Sequence, residues 1–168
     1  MVWSRRAYMA VAVSVALTVF TAPASAQSSV TYSLAGVETA ATSVQGTFVG
    51  VAISADDFGT WGAVVDHEPL DDTALITGGT FSIDGQARDL SGTITGGTIE
   101  NLRGGSCRKD TFAVTGQVDN LVDSNGITGG SGVFNVTLTH YGRRVPGGVC
   151  VTFFATIEGL ITFTLPSP

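Results

Sequence analysis

The stretch VFNVTLTHY (133–141), GRRVPGG (142–148), VCVTFFATIEG (149–159), LITFTL (160–165) decides the fold class. Three strand-like segments follow one another with Gly and Pro at the breaks, and nearly every residue between is β-branched, aromatic or Thr. Side chains of a strand alternate between its two faces. Phe134, Val136, Leu138 and His140 therefore share one face, and Asn135, Thr137, Thr139 and Tyr141 the other. In the next segment Val149, Val151, Phe153, Ala155 and Ile157 share a face. Matching apolar face to apolar face predicts a hairpin with Leu138 opposite Val151 or Phe153, because a one-residue slip would bury the threonines. His140 then points to the buried side near the turn, at a rim, with Arg143 and Arg144 in the loop above it.

Working outward from this hairpin, no window from Val30 onward shows a sustained 3.6-residue apolar period with caps. Strands are predicted instead over residues 30–35, 46–54, 60–67, 74–83, 87–95, 97–102, 111–118, 132–141, 149–157 and 160–165. Asp84-Gly85 and Asn125-Gly126 are two-residue hairpin signals between them. The motif Ile-Thr-Gly-Gly-Thr/Ser recurs at Ile76, Ile94 and Ile127. Glycine pairs inside strands mark bulges or bends, and repeated kinks let a sheet coil upon itself. Steps of 18 and 33 residues between the copies share no period, which counts against a β-solenoid. The pattern predicts an all-β, single-domain antiparallel meander: a small closed β-barrel of about eight strands, with a β-sandwich as the alternative.

The first residues belong to a leader. Ser4-Arg5-Arg6 is basic, Ala7 to Phe20 is apolar, and Ala24-Ser25-Ala26 is an Ala-x-Ala cleavage pattern. Residues 1–26 are expected to be a secretory signal peptide, with the barrel domain over 27–168. Its apolar run is short of the roughly 20 residues a membrane span needs. Arg5-Arg6 followed by Tyr8 and Met9 also resembles a bacterial twin-arginine export signal. Both routes imply an exported protein, periplasmic or extracellular. Cys107 and Cys150 are then expected to form a disulfide.

Residues 27–168 carry 14 acidic and six basic side chains, a formal charge of −8. Such a surface repels phosphate backbones, so nucleic acid is not an expected partner. No cationic amphipathic helix gives sequence support for peripheral membrane binding. Pinned by the disulfide, the loop at 103–110 would join the Arg143-Arg144 turn. Five of the six basic residues (Arg103, Arg108, Lys109, Arg143 and Arg144) would then gather at one end.

Chemistry-bearing motifs are sparse. No Gly-x-Ser-x-Gly, His-Glu-x-x-His or phosphate loop is present, and no cofactor is implied. Asp66, His67, Glu68, Asp71 and Asp72 form the densest polar cluster, but they lack the alternating order and central glycine of a calcium loop, so no metal site is assigned. The candidate ligand-binding residues are His140, Tyr141, Arg143 and Arg144 at the rim, together with His67 and Trp61. His67 continues the Trp61, Ala63, Val65 face and so points inward, as His140 does. A 43% hydrophobic composition with polar groups at the rim favours a barrel holding a small, largely apolar or anionic ligand in its interior or mouth. The alternatives are a structural or surface-interaction protein of the cell envelope and an enzyme using His140 as acid/base.

Overall fold

The computed structural model describes residues 27–70, 72–102 and 106–166. The expected leader (1–26), Asp71 of the acidic cluster and Arg103 of the basic loop lie outside the described residues. Eight strands run in chain order: β1 (Gln27–Ala41), β2 (Gln45–Ile53), β3 (Phe58–His67), β4 (Thr73–Gly85), β5 (Asp89–Asn101), β6 (Lys109–Asp123), β7 (Ser131–Arg144) and β8 (Cys150–Pro166). Each pairs antiparallel with the next, and β8 pairs with β1, so the sheet closes into a barrel without a free edge. The β1–β2, β3–β4, β5–β6 and β7–β8 turns lie at one end. The other three turns and both ends of the described chain lie at the opposite end.

Ten predicted segments become eight strands because two glycines bend a strand instead of ending it. Gly97 lies inside β5 with φ of +154°, and Gly159 inside β8 with φ of +156°. A β-carbon on Gly97 would meet the Thr115 carbonyl oxygen, and one on Gly159 the Asn135 carbonyl oxygen. Both positions therefore turn the strand without breaking its ladder. The first two copies of the Gly-Gly motif sit mid-strand, in β4 and β5, next to register shifts in the β3–β4 and β5–β6 ladders. The third copy lies in the β6–β7 connection.

Two turn predictions need correction. Asp84 pairs with Asp89, so the chain reverses beyond Gly85, over Gln86 to Arg88. Asn125-Gly126 does sit at a loop tip, but the loop spans residues 124–130. There the Asp123 carboxylate accepts from the Asn125 and Ile127 backbone N–H groups.

The β7–β8 register also differs from the predicted one. Leu138 lies opposite Ile157, and His140 opposite Ala155. The strands extend past the predicted turn, and β8 carries one extra residue where Tyr141 pairs with Phe154 but Gly142 with Thr152. That bulge flips the alternation. Val151 and Phe153 consequently leave the Ala155–Ile157 face and are 44% and 69% exposed. The disulfide between Cys107 and Cys150, with Cα atoms 5.3 Å apart, ties the β5–β6 loop to this extended hairpin.

The interior is apolar, while the outward faces of β4 and β5 carry Thr80, Ser82, Asp84, Ser91, Thr93 and Thr95. Over this part of the outer surface the pattern is the reverse of the lipid-facing one of outer-membrane barrels, whereas Val49, Val51, Ile53, Leu75, Val133 and Leu160 are exposed elsewhere. Aromatic side chains fit inside so narrow a barrel because several stand opposite glycine. Trp61 pairs with Gly50, Phe134 with Gly116, and Phe163 with Gly132. In each case a β-carbon on the glycine would strike the ring. Tyr32, Ile83, Leu90, Val118, Leu121 and Phe163 are completely buried and line no part of the cavity, and the equally buried Ile161 stands at its base. Four rings cross the interior as a chain: Trp61–Phe81 at 6.1 Å, Phe81–Phe163 at 5.8 Å and Phe163–Tyr32 at 6.2 Å between centroids. Aromatic pairs at such spacings add to the burial of their surface.

Below this layer the β2–β3 turn closes the barrel. The Tyr32 hydroxyl donates to Asp57 Oδ2 at 2.9 Å, and the Ala87 N–H donates to Asp57 Oδ1 at 2.8 Å. Burial, then the bond to Asp57 and its negative charge, push the Tyr32 hydroxyl from 10.0 up to about 12. Burial also opposes ionisation of Asp57, but the N–H of Ala87, the Tyr32 hydroxyl and further backbone donors outweigh it and hold the carboxyl below 3.8.

Candidate ligand cavity at the open end

Above the aromatic layer the barrel is hollow. A cavity of about 250 Å³ opens between the β1–β2 and β3–β4 turns and reaches down to Trp61 and Phe81. Its walls include Ala63, Val65, Val114 and Val136, with Gly46 near the mouth. These side chains are too short to meet across the barrel, whereas the other half is filled by larger ones. Its lining is overwhelmingly apolar, and the ionisable groups on it are Glu38, His67 and His140.

His140 is placed by β7, whose inward positions run Phe134, Val136, Leu138, His140. Its ring packs against Phe112 with centroids 5.3 Å apart. Glu38 comes from β1 by the same alternation, continuing Tyr32, Leu34 and Gly36. His140 Nε2 and Glu38 Oε2 are 3.3 Å apart, with the side chains 19% and 10% exposed. The two are close without hydrogen-bond alignment, and the buried Nε2 has no hydrogen-bond partner among the described residues. His67, at the end of β3, shares a short 2.6 Å bond between Nδ1 and the Glu68 carbonyl. A carbonyl only accepts, so Nδ1 carries the proton and Nε2 of the neutral ring is an acceptor. The mouth therefore offers a carboxylate and an imidazole acceptor over an apolar chamber.

The structure brings His67, His140 and Trp61 onto this one cavity. Trp61 serves as floor, its Nε1–H donating to the Ala35 carbonyl at 3.3 Å. Tyr141, Arg143 and Arg144 lie outside it. Tyr141 faces outward against Phe154, and Arg143 and Arg144 stand on the hairpin beyond the rim. Glu38 escaped the sequence reading because the first strand was predicted to stop at residue 35, whereas β1 runs to Ala41. The even-numbered alternation Tyr32, Leu34, Gly36, Glu38 was the signal for it. Of the acidic cluster, Asp66 accepts from Gln45 Nε2 at 2.6 Å, and no group of three metal-ligating side chains forms among the described residues. No helix among these residues is long and apolar enough to cross a membrane.

No family model, curated protein or solved structure matches this chain, so its site is read from geometry alone.

Proposed function

We propose that the protein is an exported β-barrel module that binds one small apolar molecule in its open-end cavity. The disulfide fits an oxidising compartment such as the periplasm or the extracellular space. The observation that carries the reading is the chamber itself: about 250 Å³, apolar-walled and reached from solvent past Glu38 and His140. An apolar cavity of about 150 Å³ is enough to hold benzene, and drug-sized sites begin near 300 Å³. The ligand class is thus a single ring or a short acyl chain. The acceptors at the mouth favour a head group that donates hydrogen bonds, a hydroxyl or an amine. A carboxylate head would meet Glu38 with like charge and leave the acceptors unpaired.

Trp61 is the sole tryptophan of residues 27–168 and lines the chamber, so its emission reports occupancy. Titration with a medium-chain alcohol or an alkylphenol is expected to change that emission saturably, and the carboxylic acid of equal length to bind more weakly. Ala63→Phe fills the chamber and is expected to abolish the response while far-UV circular dichroism stays unchanged. A response that survives Ala63→Phe, or none with any apolar probe, overturns the reading.

The Glu38–His140 pair supports a second reading as an acid–base site, because two titratable groups 3.3 Å apart line one apolar chamber. Ester and lactone analogues of the tightest ligand separate the two. Turnover that disappears in His140→Asn selects the enzyme, and binding without turnover selects the module. A purely surface-interacting protein has less support, since the closed barrel leaves no strand edge for a partner to extend.

A further inference from the structure

We propose that the tip of the β7–β8 hairpin, together with the disulfide-bonded β5–β6 loop, docks on an anionic lipid surface. This goes beyond the cavity reading and does not rest on it.

Three observations converge on the tip. Val149, Val151, Phe153 and Phe154 are 61%, 44%, 69% and 48% exposed. The bulge in β8 takes Val151 and Phe153 off the interior face; Phe153 shares one shallow groove with Phe154, Tyr141 and Arg143, and Val151 pairs with Arg143 beside it. Second, four of the five cations among the described residues collect here, Arg88 being the exception. Arg144 pairs with Cys150, Arg108 adjoins Cys107, the Gly142 N–H meets the Arg108 carbonyl at 3.4 Å, and Lys109 Nζ stands 6.0 Å over the Tyr141 ring. Third, these charges are unspent. Among the described residues no carboxylate lies within ion-pair distance of Arg108, Lys109, Arg143 or Arg144. The nearest candidate in sequence, Asp110, accepts instead from Asn101 Nδ2 and the Thr111 N–H.

Charge complementarity selects the occupant. The body carries net negative charge, so an anionic surface is met only by a part that stands clear of it. From His140 at the mouth to Arg144 is four strand residues, about 13 Å at ~3.3 Å per residue. That exceeds the ~8 Å over which charges are screened at physiological ionic strength. The acidic turn with Asp66, Glu68 and Asp72 belongs to β3–β4, on the opposite side of the eight-strand ring. A protein tilted onto its hairpin keeps that turn away from the lipid. Exposed aliphatic and aromatic side chains ringed by Arg and Lys are what an interface of acyl chains and anionic headgroups receives. The cationic, apolar surface is carried by a hairpin tip and not by an amphipathic helix.

The test is flotation of the purified protein with vesicles of mixed phosphatidylcholine and phosphatidylglycerol, against phosphatidylcholine alone, at low and high salt. Binding is expected to the mixed vesicles, and high salt is expected to weaken it. Neutralising two cations in R143Q/R144Q is expected to lower the partition coefficient about 25-fold, roughly fivefold per cation removed. V151S/F153S alters only exposed positions and is expected to lower it too, with the melting temperature held. Equal binding to neutral vesicles, or binding indifferent to R143Q/R144Q, overturns the proposal. So does self-association by light scattering that V151S/F153S abolishes, which would make the occupant a second copy. Ligand titration of Trp61 in the same variants keeps the cavity reading separate, because none of these residues lines the chamber.

Discussion

Replacing Tyr32 by Phe removes one oxygen from the closed end of the barrel and leaves the rest of the packing in place. Tyr32 is 1% exposed, and its hydroxyl holds the Asp57 carboxylate that stitches the β2–β3 turn to Ala87. A hydrogen bond to a charged group contributes about 1.5–3 kcal/mol. The rise of the hydroxyl from 10.0 to about 12 gives an independent ceiling. Two pH units correspond to at most about 2.7 kcal/mol, less because the bond is only part-buried and solvent screens it. Burial is the largest part of that rise, so it bounds the bond from above, and about 2 kcal/mol lies within both limits. For a domain of this size Tyr32→Phe is then expected to lower the melting temperature by about 6 °C at neutral pH. The pH dependence has a definite sign. The unfolded hydroxyl loses its proton near pH 10 while the folded one keeps it to about 12, so the contribution is complete below pH 10 and is lost as pH rises toward 12. Asp57 behaves oppositely: its folded pKa lies below 3.8, so its contribution is present above that value and fades as pH falls through the lowered one. Calorimetry of both proteins from neutral pH to the alkaline limit is the assay. The difference between parent and variant should shrink as pH climbs from 10 to 12. A variant that melts with the parent at neutral pH, or a difference that stays constant across that alkaline range, refutes the latch.

Gly97→Ala is expected to cost several kcal/mol, because the new β-carbon meets the Thr115 carbonyl at a φ of +154°. Gly96→Ala, whose nearest contact is the Ile76 carbonyl at 4.0 Å, should cost at most about 1 kcal/mol; equal denaturant midpoints for the two variants would refute the kink. Opening the disulfide with Cys107→Ser/Cys150→Ser frees a loop whose ends are 43 residues apart. This should remove up to about 4 kcal/mol on the chain-entropy account, with strand content by circular dichroism intact. An unchanged melting temperature would make the bond idle. Glu38→Gln should narrow the preference of the chamber for alcohol over carboxylic acid, read as the ratio of the two dissociation constants from Trp61 emission.

Period-two alternation was enough to determine the all-β class, the inward faces of β3 and β7, and hence the inward aim of Trp61, His67 and His140, since which side a residue faces is a local property of an extended chain. The spacing of the turns and the glycine kinks pointed to a meander coiled into a barrel. How far each strand runs was not legible. A glycine that ends a strand and one that bends it look alike in sequence, and only the neighbouring carbonyl at Gly97 or Gly159 tells them apart. Register was equally hidden, because every even-numbered slip of β8 preserves the same faces, and the single bulge at Tyr141–Gly142 that exposes Val151 and Phe153 leaves no local mark. The candidate site joins Glu38, His67 and His140 from three strands. Closure of β1 onto β8 brings β1 and β7 to within one strand of each other, and the short walls at Ala63, Val65 and Val136 leave the chamber open. Those distances span a hundred residues of chain, and only the closed ring fixes them.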